Sequence, residues 1–140
     1  MTKEARKDVG EKLYAEGMKY NWRQSESPAN ATLSRATLES SAATGHTKAI
    51  REVAEMMFQG SGGSKNPERA LWLKWSAFMR GDSNALEELS ALLESYAEAL
   101  PQPIDRQRAT DAARKTEELA KHFAWLQSYL HHLVHTQREQ

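Results

Sequence analysis

Two spacings constrain this chain more than anything else in it. Gly45 and Gly81 stand 36 residues apart, and so do Ala49 and Ala85. Behind each glycine the residues run in the same order, one helical turn at a time. The first register reads Ala49, Val53, Ala54, Met57, Gly60. The second reads Ala85, Leu89, Ser90, Leu93, Tyr96. Small residues let helix backbones approach closely, and the bulky ones fill the gap against the next helix pair. Self-similarity at such a period is the mark of stacked supersecondary units, none of which can bury its apolar face alone.

The helices are punctuated clearly. Ser27-Pro28 and Asn66-Pro67 each put a capping side chain before a proline at the first helical position, where the missing N–H costs nothing. Gly17, Gly45, Gly60 and Gly81 sit where a helix would stop on a left-handed residue. Asn84 with Glu87 can form a capping box, with Asp82 as a competing cap. Pro101 and Pro103 break the chain once more. These signals predict six helices, over 3–17, 28–44, 46–59, 67–80, 83–99 and 103–137. No stretch keeps the period-two alternation of a strand. The fold expected is all-α, an alpha-alpha superhelix of helix pairs closed by a long C-terminal helix.

The row Ala49, Val53, Ala54, Met57, Gly60, Gly62, followed by Asn66, Ala70, Leu73, Ala77, Phe78 and Gly81, resembles the Sel-one-like repeat. That family is related to the tetratricopeptide repeat and has a period of about 36 residues. One copy fits 46–81. A second begins at 82 and follows the pattern through its first helix, so that 82–140 is a partial repeat plus the long helix. A degenerate copy with an insertion around Trp22 fills 1–45, where Ala5, Val9, Gly10 and Leu13 match. Met57 stands where the family usually has an aromatic, and Leu73 where it usually has Trp. The resemblance implies one domain over 1–140, a curved stack of helix pairs that binds partners along its surface. Small stand-alone members of such families in bacteria include immunity proteins that block toxins.

Composition narrows the chemistry. Lys plus Arg number 19 and Asp plus Glu number 19, so the formal net charge is zero. That balance argues against broad binding to nucleic acid or to an anionic membrane. There is no cysteine, which removes disulfides, thiolate catalysis and thiolate metal ligands. The first residues, Met1-Thr-Lys-Glu-Ala-Arg-Lys, lack an apolar core for a secretory signal, and no run is long enough to span a membrane. A cytoplasmic protein is therefore expected. Gly60-Ser-Gly-Gly-Ser matches a phosphate cradle only in composition, lacking the strand before it and the Lys-Ser/Thr after it. A turn is the better account. His131 and His135 are spaced to chelate one ion, but the nearest acid is Glu139, so no metal site is expected, no cofactor, and no catalytic set.

Several features remain for a protein partner. Leu73, Ala77 and Ala70 mark one side of the fourth helix, and Trp72, Trp75 and Met79 fall near the other. Either another helix covers the second side, or the tryptophans are exposed anchors. The fifth helix carries five acids and no Lys or Arg from Asp82 to Glu98. Glu87, Glu94 and Glu98 share a face, either solvated or a negative strip for a basic partner. The last helix, about 50 Å long at 1.5 Å per residue, carries a heptad stripe of Ala109, Ala112, Thr116, Leu119, Phe123, Leu126, Leu130 and Leu133. It either packs across the repeats or forms a dimer seam. Beside it runs a second row, His122, Trp125, Tyr129 and His132, which is either a half-buried boundary or an interface. The expected function is protein binding without catalysis, by an immunity protein acting on a basic toxin or effector, by a general adaptor, or by a structural homodimer. A monomer and a homodimer both remain open. The expected contact residues are Arg51, Glu55, Gln59, Glu87, Glu94 and Glu98, facing away from the core, and His122, Trp125, Tyr129 and His132.

Overall fold

A computed structural model describes residues 1–139, with side chains through residue 136. The described residues form six α-helices and no strand: α1 (Lys3–Met18), α2 (Pro28–Ala43), α3 (Thr47–Gln59), α4 (Pro67–Met79), α5 (Asn84–Ala99) and α6 (Pro103–Glu139). The chain is all-α, with neighbouring helices packed in pairs and a long C-terminal helix. Each boundary follows its capping chemistry. The side chains of Thr2, Ser27, His46 and Asn66 accept the orphan N–H groups of Ala5, Asn30, Ala49 and Arg69. Asp82, the competing cap of α5, accepts from the Asn84 N–H at 3.1 Å. Gly45, Gly60 and Gly81 follow helix ends at φ values of 92°, 81° and 105°, the left-handed region where a Cβ is unwelcome.

Gly17 departs from that pattern. It lies inside α1 and is buried. A Cβ there would come within 2.7 Å of Leu38 Cγ. It is a point of close helix approach, not a stop, and the left-handed residue after α1 is Asn21 instead. Gly10, also buried, meets Thr44 in the same way. Two serines of α2 exploit both glycines. Ser34 donates its hydroxyl to the Gly17 carbonyl at 2.9 Å, and Ser41 donates to the Gly10 carbonyl at 2.6 Å. Both pairs are spaced by seven residues, close to two helical turns. The match of Ala5 and Val9 to the repeat pattern does not translate into burial, since both side chains are exposed. Tyr14 and Met18 face the core from α1 instead.

The chain divides into two units, Met1–Ala85 and Leu86–Gln140. In the first, Trp22, Leu38, Val53 and Met56 form the centre of the core, with Tyr14, Met18, Ala31, Ala42, Met57 and Leu73 around them. Ile50, Ala77 and Ala85 make a second cluster. The α1–α2 connection is anchored by Trp22, whose ring nitrogen donates to Glu52 while Arg23 pairs with the same carboxylate at 2.6 Å. The Gly/Ser connection after α3 is a structural turn, held by Arg35, which donates to the carbonyls of Ser61 and Ser64. In the second unit α5 and α6 are joined by Ser90, whose hydroxyl donates to the Ala113 carbonyl at 2.9 Å. Among the described residues of α6, Ala109, Ala113 and Ala120 are buried.

The period of 36 is visible in burial. Ala49 and Ala85, Ile50 and Leu86, Val53 and Leu89, and Ala54 and Ser90 are all buried. The same offset reaches back into α2, where Ser34 and Ala70, Leu38 and Lys74, and Ser41 and Ala77 are buried pairs. Lys74 thus occupies the position that Leu38 fills one period earlier. It is 1% exposed, and its ammonium pairs with Glu55 at 2.8 Å.

Candidate surface for a protein partner

The expected contact residues separate into three groups. The first lies on α3. Arg51 and Glu55 are half-buried and engaged within their own unit, Arg51 with Asp82 at 3.1 Å and Glu55 with Lys74. They do not point away from the core as expected. Their partners lie 31 and 19 residues off in sequence, beyond the reach of helical periodicity. Gln59 alone of this group is exposed.

The second group lies on α5. Glu87, Glu94 and Glu98 are all exposed, so the acidic row exists. It lines two shallow cavities shared with α6. The larger, about 550 Å³, places Glu94 and Glu98 opposite Arg106, Gln107 and Thr110. The smaller, about 320 Å³, places Glu87 and Glu94 near Glu117 and Lys121. Arg106 is turned to its own chain, donating to the carbonyls of Leu100 and Pro101.

The third group lies on α6. Trp125 and Tyr129 stack with ring centroids 5.6 Å apart and planes 2° from parallel, and His122 stacks on the other side of Trp125 at 6.2 Å. One turn of helix separates each member from the next, so the i, i+3, i+4 spacing alone brings the rings together. His132 continues the row, with its ring 3.4 Å from the Thr136 hydroxyl. None of these side chains is buried, and Trp125 is 61% exposed. The heptad stripe behaves in two ways along its length. Ala109 is buried, and Ala112 and Thr116 are half-buried, against one flank carrying Ala113 and Ala120. Beyond Ala120 the stripe opens. Phe123, Leu130 and Leu133 are exposed, as is Val134 beside them. The stripe therefore is not buried along its whole length, with Leu119 already exposed and Leu126 half-buried.

Sequence reasoning left open the far side of α4. There Trp72 is 58% exposed and Met79 66% exposed, while Trp75 is half-buried and tilted against Phe78 at 5.5 Å. Trp72 and Met79 are seven residues apart and share one face. His131 and His135 touch edge to face at 4.1 Å. The Glu139 side chain that completed the metal reading lies outside the described residues. No helix of the described residues is long and apolar enough to cross a membrane. No protein-family model matches the chain, and none of the curated proteins compared with it does so either.

Proposed function

We propose that the chain is a non-enzymatic protein-binding module, and in its sharpest form a bacterial immunity protein that holds and neutralises one cognate toxin. The observation that carries the reading is the distal half of α6. Phe123, Trp125, Tyr129, Leu130, Leu133 and Val134 all stand exposed on 12 consecutive positions of one helix. Apolar and aromatic side chains gathered so densely on a surface mark an interaction site, and Trp and Tyr are the residue types that dominate interface energetics. The exposed acids Glu87, Glu94 and Glu98 add a negative field that favours a basic partner and speeds its approach. A general adaptor would use the same surface on several partners.

The test is co-expression with the toxin or effector encoded beside this chain's gene. Protection of the cells, and a 1:1 complex of the purified proteins, support the immunity reading. Absence of both removes it. Trp125→Ala with Tyr129→Ala should weaken the complex at least about 100-fold, since two hot-spot truncations of about 2 kcal/mol each suffice. Glu94→Lys should slow association and blunt its salt dependence, leaving thermal stability unchanged.

The open heptad stripe favours a second reading, a homodimer seamed along α6. Leu119, Phe123, Leu126, Leu130 and Leu133 keep the alternating spacing of three and four that such a seam needs. Light scattering over a dilution series decides it. A mass of 15.8 kDa at every concentration removes the homodimer, and a concentration-dependent mass lost in Leu130→Glu establishes it.

A further inference from the structure

A net charge of zero conceals one strongly one-signed place on the first unit. Lys3, Arg6 and Lys7 stand at offsets of three and four, so they share a face of the first turns of α1. Of the acids of the same helix, Glu4, Asp8 and Glu11 fall on the neighbouring face, with Glu11 acting on the charge of His46, and Glu16 lies further along the helix. Arg80 joins the three cations from the end of α4. Together with Thr44, Gly45 and His46, the four cations line a cavity of about 310 Å³, and no carboxylate lines it. Lys3, Arg6, Lys7 and Arg80 form no ion pair among the described residues.

Each part of this arrangement is held in place by something specific. Gly10 lets α1 close onto Thr44 and His46, which brings the N-terminal turn of α1 beside the α2–α3 connection. Gly45 lets the Arg80 guanidinium lie over the backbone, where a Cβ would stand 2.9 Å from its nitrogen. Asp82, the acid nearest to Arg80 in sequence, is occupied by Arg51. His46 accepts the Ala49 N–H at Nδ1, which leaves its Nε2 as the protonated, donating nitrogen of a neutral ring. Donors thus dominate the cavity wall, although Thr44 spends its hydroxyl proton on the Ser41 carbonyl at 2.6 Å. Like charges at i, i+3 and i, i+4 weaken a helix slightly, and a cleft lined by one sign of charge concentrates counter-ions from solution. A cluster that repels itself when empty is relieved when an anion fills it.

We propose that this cavity binds a small multivalent anion of the phosphate class, a pyrophosphate or a di- or triphosphate ester, through Lys3, Arg6, Lys7 and Arg80. The guanidinium groups offer paired donors that match phosphoryl oxygens, and the two ammonium groups add point charge. The volume is at the small end of ligand sites, which suits a compact anion.

Isothermal titration calorimetry of the full, untagged chain with inorganic pyrophosphate, at fixed ionic strength, tests the proposal. Saturable 1:1 binding is expected, weakened at least about tenfold in Arg80→Gln and in Lys7→Gln, each the loss of one charge-assisted contact. Lys115→Gln, an exposed lysine of α6, should bind as the parent does. Circular dichroism checks that each variant is folded, and Arg6→Gln replaces any variant that is not. Absence of saturation, equal affinity in the cavity variants and the parent, or binding of a single-stranded oligonucleotide without binding of pyrophosphate would overturn it.

Discussion

Trp22 and Trp125 are the same side chain in opposite circumstances. Trp22 is 6% exposed, sealed among Leu38, Val53 and Met56, with its ring nitrogen bonded to Glu52. Trp125 is stacked between His122 and Tyr129 on the open half of α6, with nothing buried around it. The first unit closes its apolar residues inward by using small residues where helices meet: Gly10 and Gly17 on α1, Ser34 and Ser41 on α2. The distal half of α6 keeps large apolar residues that stand exposed among the described residues. Small residues at a crossing bring backbones together and leave little for a partner. Large ones without a crossing leave their surface in water, where association can recover it.

The contrast can be broken by mutation. Trp22→Ala should cost about 3–5 kcal/mol in chemical denaturation, whereas Trp125→Ala should stay within about 0.5 kcal/mol. A loss above about 2 kcal/mol at Trp125 would mean that its surface is covered in the monomer, and the comparison would fail. Gly17→Ala comes next. Its methyl group meets Leu38, so overpacking of about 1–3 kcal/mol should outweigh a gain in helix propensity of about 1 kcal/mol. A more stable variant would show that α1 and α2 can part without penalty. Glu55→Gln removes a charge beside the buried Lys74 ammonium and should cost about 1–2 kcal/mol. No cost would return Glu55 to the surface group.

The smallest effect is in pH. Burial first, and Lys48 in addition, hold the His46 imidazole below the ordinary histidine range, against an opposing pull from Glu11. A histidine whose folded pKa lies below its unfolded value of about 6.5 gives stability that is complete above that value and is lost as pH falls through it toward the folded pKa. The melting temperature should therefore decline below neutral pH, and His46→Asn, which keeps a capping acceptor without titrating, should remove that part of the decline. An unchanged slope in the variant would take His46 out of the account.

Much of the fold was legible because its signals are local. Proline after a capping residue, glycine after the last turn and the change at Pro101 and Pro103 set six helices to within two residues of their observed ends. What misled was always decided by a distant neighbour. A glycine near the end of an amphipathic helix reads as a stop, and only Leu38, 21 positions away, makes Gly17 a contact. Glu55 reads as a residue turned from the core until Lys74 is placed opposite it. Arg51 reads as surface until Asp82 arrives. The alignment of the aromatic row of α6 was legible, since one helix determines it, but its exposure was not. Whether Trp72 and Met79 were covered was not, because cover is a property of the other helices. The basic cavity was hidden for the same reason, as Arg80 is contributed from far along the chain and the whole-chain charge averages it away.

The paired serines of α2 have a further consequence. Ser34 and Ser41 meet Gly17 and Gly10 at equal spacing on two helices. A slide of one helical turn, about 5.4 Å, would take both hydroxyls off the Gly17 and Gly10 carbonyls at once and leave each only the i−4 carbonyl of its own helix, the bond that Ser40 makes to Ala36. Intermediate offsets satisfy neither. The two helices thus behave as a two-toothed latch: alignment is either correct or doubly wrong, and thermal motion at this junction should take the form of rare, complete release in place of gradual creep.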